Sequence, residues 1–259
     1  MVFRTCWMVG GLVFAGASGA GEMDWRGSYL GIHGGHTSAH TRLSTTTEFV
    51  GSGYNLAAGT YFVASSVDAI AASGRGGLSP SADSAGLSWG RNWQAGPLVT
   101  GLEADLGSMK LRATRSAGSV YPCCAPFSYE VRQSIETDWL ATARGRIGYA
   151  FNRSLLYATA GLALARVNVD ARFTDNDPDA RASTTLSTSQ WGWALGLGYE
   201  HGLEDRWSVK AEVLHLDLGR ASSTSNNLET SRGVFPAAPF TTRVRLRASQ
   251  VRVGLNKRW

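Results

Sequence analysis

Charged side chains recur two residues apart inside stretches that are otherwise apolar or small. They are Glu103, Asp105, Arg144, Arg146, Glu200, Lys210, Glu212 and Arg252. A spacing of two places both members of a pair on one face of a β-strand. If a closed sheet encloses these faces, we expect a ladder of ion pairs across its interior, because an unpaired buried charge is strongly destabilising. Structural filling is the favoured interpretation, and a proton or ion path or a catalytic role are the alternatives.

Three histidines, His33, His36 and His40, follow one another at spacings of three and four residues. Histidine is the commonest metal ligand, so metal or haem capture at a cell surface is one interpretation. On a strand, however, His33 and His36 point to opposite faces, and a shared metal would require the segment to leave the sheet. We therefore expect polar histidines at a strand end and in a loop, with no metal and no cofactor.

Two pairs, His215 with Asp217 and His201 with Glu200, combine a possible general base with a carboxylate. Nucleophilic catalysis needs a nucleophile within hydrogen-bond reach of a base, and a third group that orients the base. Adjacent residues on a strand diverge, and no H-E-x-x-H motif is present. We therefore expect no catalytic residues and no enzyme activity.

The composition excludes other classes. Charged residues make up only 17%, with 31 Gly and 7 Pro, which fits neither a disordered chain nor a helix-rich enzyme. The net charge is +5, but the arginines are scattered singly. Without a dense basic block or a recognition motif, we expect no nucleic-acid binding.

The N-terminus is typical of a secretory signal peptide. Arg4 precedes an apolar run from Cys6 to Ala17, and small residues precede Gly21. We predict a cleaved signal at 1–20 and an exported domain at 21–259. Export permits a disulfide, so Cys123 and Cys124 remain open to free, vicinal or intermolecular states. Without further His or Cys partners they are not a zinc site.

Alternating apolar and polar residues predict eight β-strands. Their ranges are 25–38, 86–95, 98–110, 135–151, 154–169, 189–201, 207–219 and 244–259. Short turns at 96–97, 152–153 and 202–206 alternate with long stretches at 39–85, 111–134, 170–188 and 220–243. The first long stretch has weak helical character at 63–73, for which we expect at most one helical turn. All long loops therefore lie at one end, and all tight turns and both termini at the other.

This asymmetry predicts an all-β fold, an eight-stranded antiparallel up-and-down transmembrane β-barrel with four long extracellular loops. A soluble barrel could show the same alternation with its apolar face inward. The membrane is favoured because aromatic residues cluster at strand ends, as in interface girdles. The polar faces, rich in Gly, Ala and lone charges, also suit a narrow lumen better than a solvated exterior.

Specific motifs then add a family resemblance. Residues 86–107, GLSWGRNWQAGPLVTGLEADLG, resemble the second hairpin of the small outer-membrane β-barrel proteins of alphaproteobacteria, a family that includes porin-like surface antigens. The matching positions are Gly90, Asn92, Trp93, Gln94, Gly101, Leu102, Glu103 and Asp105. DWRGSYLGIHGG at 24–35 and WLATARGRIGYAF at 139–151 also look like strands of that family. The resemblance covers all eight strands but not the loops, and implies an eight-stranded barrel in the outer membrane.

The resemblance implies no single molecular activity. We expect a structural or surface-exposed envelope component without catalysis. A narrow porin for small solutes is the alternative, followed by a haem binder or a lipid A-modifying enzyme. The expected partners are outer-membrane lipid, lipopolysaccharide and the barrel-assembly machinery, while contacts with peptidoglycan or a host surface stay open.

The last strand carries the expected assembly signal. Val251, Val253, Leu255 and Trp259 share one face. Barrels resembling this one end in an aromatic residue, usually Phe, which the assembly machinery is thought to read. Here Trp259 takes that place, and Lys257 stands where the family usually has Tyr.

Overall fold

The computed structural model describes residues 23–51, 53–176 and 179–259, so the predicted signal peptide lies outside the described residues. The elements are β1 Gly27–Thr47, α1 Ala64–Gly74, β2 Arg75–Leu78, β3 Ser81–Ala95, β4 Leu98–Ser108, β5 Arg112–Val120, β6 Ser128–Phe151, β7 Ser154–Asp175, β8 Arg181–Gly202, β9 Trp207–Ser225, β10 Glu229–Thr230, β11 Gly233–Val234 and β12 Phe240–Arg258. No helix among the described residues is long and apolar enough to cross a membrane.

Eight of the described strands close into a ring. Their order is β1-β3-β4-β6-β7-β8-β9-β12, and β12 returns to pair with β1 along its whole length. All neighbouring pairs are antiparallel. Short β2 pairs with β1 beyond the part of β1 that pairs with β3. In the same way, β5 pairs with β6 beyond the part of β6 that pairs with β4. The predicted eight-stranded barrel is confirmed.

The strands are longer than the sequence predicted. Strand β6 has 24 residues, and β7 and β8 have 22 each. The predicted long loop at 170–188 is wrong, because β7 and β8 run through most of it and leave only 176–180 between them. The alternating signal fades there because Ser, Thr and Asp dominate, yet the backbone pairing continues from Val169–Leu186 to Thr174–Arg181.

One end of the barrel has only tight turns, and the other has the remaining connections. The tight-turn end contains 96–97, 152–153 and 203–206, with left-handed backbone at Gly96, Asn152, Asp205 and Arg206. The opposite end, called the extended end, carries 48–80, 109–127, 176–180 and 226–239.

The apolar face of the wall changes sides along each long strand. On β7, Leu156 and Leu162 point outward with 57% and 58% of their surface exposed. Farther toward the extended end, Val167, Val169 and Phe173 point inward and are buried. The stretch 154–169, apolar on both faces in the sequence, spans this change. A wall whose outer face is apolar fits contact with lipid. A wall whose apolar residues point inward, into the packed interior, fits an outer face in contact with water.

Helix α1 lies across the extended end of the barrel. It has 11 residues, so the expectation of at most one turn is wrong. Ile70 is fully buried. The Nη1 of Arg115 donates to the carbonyl of Ser73 at 2.8 Å, and the Nε2 of Gln133 donates to that of Gly74 at 2.8 Å. These bonds satisfy carbonyls that a helix end leaves without partners.

Candidate functional site: the barrel interior

Glu103 stands at the centre of a buried polar network. Its Oε1 accepts a hydrogen bond from Nη2 of Arg144 at 2.5 Å. Its Oε2 accepts from the Tyr29 hydroxyl at 2.6 Å and from Nζ of Lys210 at 2.8 Å. The Arg252 guanidinium lies 3.4 Å from Oε1. One carboxylate therefore compensates charges from three other strands, β6, β9 and β12.

Arg144 and Arg252 connect Glu103 to two further carboxylates. Nη2 of Arg144 lies 2.7 Å from Oδ2 of Asp105, and its Nη1 lies 3.0 Å from Oε1 of Glu212. Nη2 of Arg252 lies 2.5 Å from Oε2 of Glu212, and its Nη1 lies 3.2 Å from Oδ1 of Asp105. These guanidinium groups satisfy several acceptors at once, which suits the forked geometry of arginine.

A second part of the network lies beside Tyr29. Nη2 of Arg146 donates to Glu200 at 2.9 Å, and its guanidinium lies over the Tyr157 ring at 4.0 Å from the centroid. Glu200 also accepts from Ser208 at 2.5 Å and from Asn256 at 2.9 Å. Sequence reasoning missed the uncharged members, although their inward parity on each strand was a usable signal.

The network is balanced in charge. The four carboxylates of Glu103, Asp105, Glu200 and Glu212 meet the four cations Arg144, Arg146, Lys210 and Arg252. Their side chains are between 0% and 3% exposed. The structure thus brings all eight predicted ladder residues together. Removing either partner of such a pair is costly because it leaves an uncompensated buried charge.

Other layers fill the barrel on both sides of the network. At the tight-turn end, the Arg258 guanidinium lies over the Trp25 ring at 4.5 Å from the centroid. Toward the extended end, Nε2 of Gln250 bonds to Thr37 at 3.1 Å and Ser84 at 2.8 Å. Beyond these lie apolar side chains, including Leu43, Met109, Ile135, Val167, Leu216 and Leu246. Aromatic and apolar residues of the walls and connections follow, including Phe62, Tyr121, Tyr129, Phe173, Phe235 and Phe240.

The three candidate histidines are not brought together. His33 points inward, with its Nε2 3.5 Å from Nη1 of Arg252. His36 and His40 are exposed on the outer face, where Nδ1 of His36 lies 2.9 Å from Asp83 and that of His40 lies 3.2 Å from Ser79. The described residues hold no group of three or more potential metal ligands.

The candidate catalytic pairs are also separated. Glu200 is buried in the network, while His201 lies on the other face of β8 beside Ser154 at 3.1 Å. Nδ1 of His215 lies 3.3 Å from the Ser249 hydroxyl, a neighbour that sequence reasoning missed. Asp217 instead accepts hydrogen bonds from Arg245 at 2.9 Å and Arg247 at 2.8 Å. The His215–Ser249 pair therefore lacks Asp217 as an orienting acid.

One serine has the spacing of a hydrolase nucleophile. Gly86, Ser88 and Gly90 match G-x-S-x-G. In hydrolases, that motif forms a strand-to-helix turn that exposes the serine. Here it lies inside strand β3, and Ser88 is 1% exposed. The geometry of a nucleophile elbow is absent from this segment.

Cys123 and Cys124 form a disulfide with each other, which resolves the alternatives left open by the sequence. They line a cavity of about 190 Å³ at the extended end together with Tyr54, Tyr61 and Tyr121. The Tyr121 hydroxyl donates to Asp175 at 2.8 Å. Burial and this carboxylate raise the pKa of Tyr121 above its usual range, so the phenol stays protonated.

The outer surface of the barrel nearer the tight-turn end is strongly apolar. Leu102, Ile147, Leu197 and Trp191 are between 56% and 67% exposed. The predicted assembly residues Val251, Val253, Leu255 and Trp259 also face outward, at 57%, 56%, 37% and 60% exposure. Isolated apolar residues on a surface are ordinary, but a continuous apolar belt around a closed sheet is typical of contact with lipid. Fold and surface define an integral β-barrel of the bacterial outer membrane.

Comparison with known proteins gives the family. Residues 9–235 match the model of the outer membrane protein beta-barrel domain, and the chain belongs to that family. It is 28% identical over 201 residues to the 31 kDa outer-membrane immunogenic protein of Brucella melitensis, covering 76% of this chain and 72% of the relative. It is 29% identical over 144 residues to the 22 kDa outer membrane protein of Rhizobium leguminosarum bv. viciae, covering 56% of each chain.

Among solved structures, the outer membrane protein OprG from Pseudomonas aeruginosa has a TM-score of 0.45 and 12% identity. The match covers 90% of this chain and 97% of OprG. The family and the two relatives establish the outer membrane as the location of the protein, as the sequence predicted.

Proposed function

We propose that the protein is a closed structural barrel that presents its extended end at the cell surface, without conductance and without catalysis. The observation that carries this proposal is the continuous filling of the interior. The layers from Trp25 through the balanced charge network to Phe173 and Phe240 are buried. An eight-stranded barrel is just wide enough for side chains to fill it, so a water-filled path would have to displace packed or ion-paired groups.

Electrical recording tests the closed interior. We expect purified, folded protein in planar bilayers to give no discrete openings in concentrated potassium chloride, while an open porin added to the same bilayer gives clear steps. Reproducible openings of uniform size that depend on this protein would contradict the closed barrel and favour the narrow porin.

Surface presentation is supported by the shape of the chain. Outer-membrane barrels have short periplasmic turns and longer outer connections, which orients the extended end outward. Two Brucella relatives are named outer-membrane immunogenic proteins. We therefore assign the antigenic surface of this chain to its extended end, with 48–80, 109–127 and 226–239 as the accessible connections.

The pair His215 and Ser249 gives lipid modification a specific test. The pair lies on the outer face of the barrel, 3.3 Å apart. Because the Asp217 carboxylate bonds to two arginines and to the backbone of Gly219, we expect no hydrolysis. Mass spectrometry of lipid A from cells with and without the protein should give identical spectra. A mass change abolished by Ser249→Ala would establish the enzyme instead.

A further inference from the structure

Six arginines lie on the outer surface of four adjacent strands, β2, β1, β12 and β9. We call this surface the arginine patch: Arg42, Arg75, Arg220, Arg243, Arg245 and Arg247. Within it, Arg42 lies opposite Arg245, and Arg245 lies opposite Arg220. Three guanidinium-bearing positions thus form one row across three neighbouring strands. Like charges directly opposite each other in a sheet are destabilising.

The patch contains little negative charge of its own. Within the described residues, Asp217 supplies its ion pairs, with Arg245 at 2.9 Å and Arg247 at 2.8 Å. Arg42, Arg220 and Arg243 are exposed and make no ion pair with the described part of the chain. Asp217 is therefore the one carboxylate that the described residues pair with this patch, and the exposed guanidinium groups of Arg42, Arg220 and Arg243 are open to an anion from outside.

The position of the patch indicates where that anion comes from. On β12, exposed Val253 and Val251 are followed by Ser249 and then Arg247 toward the extended end. Four residues span about 14 Å along a strand, or about 10 Å along the membrane normal at a tilt of roughly 40°. Asp217 also lies opposite Trp193, and exposed tryptophans mark the membrane interface. The patch therefore adjoins the edge of the lipid-facing belt.

We propose that the arginine patch binds the anionic saccharide headgroup of the outer-leaflet glycolipid, with a phosphate or carboxylate between Arg42, Arg245 and Arg220. Arginine suits such groups because its planar fork makes paired, charge-assisted hydrogen bonds. The patch adjoins the lipid-facing belt, so a membrane-resident glycolipid reaches it without leaving the bilayer. The assignment to the outer leaflet rests on the orientation proposed above, whereas the binding chemistry does not.

The test compares two matched double variants of the full, folded barrel in zwitterionic detergent. Arg42→Gln/Arg220→Gln removes two charges from the row without removing an ion pair of the described chain. The control, Arg132→Gln/Arg172→Gln, removes two exposed arginines that lie opposite each other on β6 and β7. Both variants lose the same net charge. Native mass spectrometry with diphosphoryl lipid A as the probe measures the affinity.

We expect the row variant to bind diphosphoryl lipid A at least about tenfold more weakly, because it loses two guanidinium groups that would make charge-assisted hydrogen bonds to the anion. The control variant should bind as the native chain does. Binding by the native chain should also weaken between about 0.1 M and about 1 M salt, where the Debye length falls from about 10 Å to about 3 Å.

Three results would overturn the proposal. Equal weakening in both variants would show that net charge alone drives binding. Undiminished binding by the row variant would remove the patch from recognition. Equally tight binding of inorganic phosphate, used as a second probe, would identify a soluble anion as the ligand.

If the row variant does not fold, Arg42→Lys/Arg220→Lys keeps the two charges but loses the planar guanidinium fork. Unchanged affinity of that variant would contradict the role of paired hydrogen bonds. None of these measurements depends on conductance, so the closed barrel can fail or hold separately.

Discussion

At the scale of the residue, the interior depends on single charges with several partners. Glu103 contacts Lys210 at 2.8 Å and Arg144 at 2.5 Å. The sequence could show that these side chains face inward, because spacing fixes the face of a strand. It could not show which charges meet, because pairing across the lumen depends on the stagger between strands. The sequence also did not predict that Tyr29 and Tyr157 contact the network, for the same reason.

Glu103→Gln tests the cost of an uncompensated cation. The substitution leaves Lys210 buried without its carboxylate, so we expect a loss of about 3–5 kcal/mol in the free energy of unfolding. Urea titration of the barrel in lipid vesicles measures this. Adding Lys210→Met should recover much of the loss, because the cation disappears as well. Asp83→Asn is the control, since its pair with His36 is exposed, and a loss as small as the control's would argue against a coupled network.

Gly198 is needed because of a close approach. A Cβ there would overlap the ring of Tyr157, which lies against it from the neighbouring strand. We expect Gly198→Ala to cost roughly 1–3 kcal/mol, as overpacking usually does. At Gly145 the nearest atom would be 3.9 Å away, so Gly145→Ala should be nearly neutral. Heat-dependent gel mobility of the folded barrel compares the two, and equal melting would refute the steric argument.

At the scale of the element, each long strand carries two opposite patterns in sequence. The half that faces lipid alternates clearly and was predicted, as were the tight turns. On β7 and β8 the other half was assigned to a loop at 170–188 because its outward face is polar, although Ala171 and Phe173 face inward. A single alternation rule cannot follow a strand whose surroundings change from lipid to water. The parts of the strands that lie near the extended end were therefore not predicted as strands.

Two lysine substitutions on β7 locate that change of solvent. Ala160 and Thr174 both point outward on the same strand and are exposed. We expect Ala160→Lys to cost about 2–4 kcal/mol, the range for a lysine on the lipid face near the bilayer midplane, and Thr174→Lys to cost roughly 0–1 kcal/mol. Chemical unfolding in vesicles provides the comparison. Similar costs at both positions would place the membrane elsewhere.

The closing strand is where we propose recognition by the barrel-assembly machinery. The Trp259 amide donates to the Ser28 carbonyl at 3.1 Å, and Nζ of Lys257 lies 4.9 Å from the Trp207 ring centroid. Deleting Trp259 removes little packing, since its side chain is 60% exposed. We nevertheless expect lower outer-membrane levels of the deletion variant by immunoblotting, and normal levels for Trp259→Phe. Unchanged levels on deletion would exclude an assembly role for this residue.

At the scale of the whole molecule, orientation follows from the difference between the two ends. Arg232 is exposed in the connection 226–239, whereas Arg206 lies in a tight turn. Trypsin added to intact cells should cleave after Arg232 and spare Arg206, and Arg232→Gln should remove that cleavage. Mass spectrometry of the fragments identifies the site. Cleavage at Arg206 with Arg232 intact would mean that the barrel is inserted the other way.

The change of apolar face also constrains how the molecule can be made. In an unclosed sheet, the half near the tight-turn end would expose apolar side chains on the outer face. The half near the extended end would expose them on the inner face. Lipid can cover only the first of these, and only ring closure covers the second. Neither partial state is protected against aggregation, because transiently exposed apolar surface and unpaired strand edges are both adhesive. We therefore expect ring closure and membrane insertion to be coupled events.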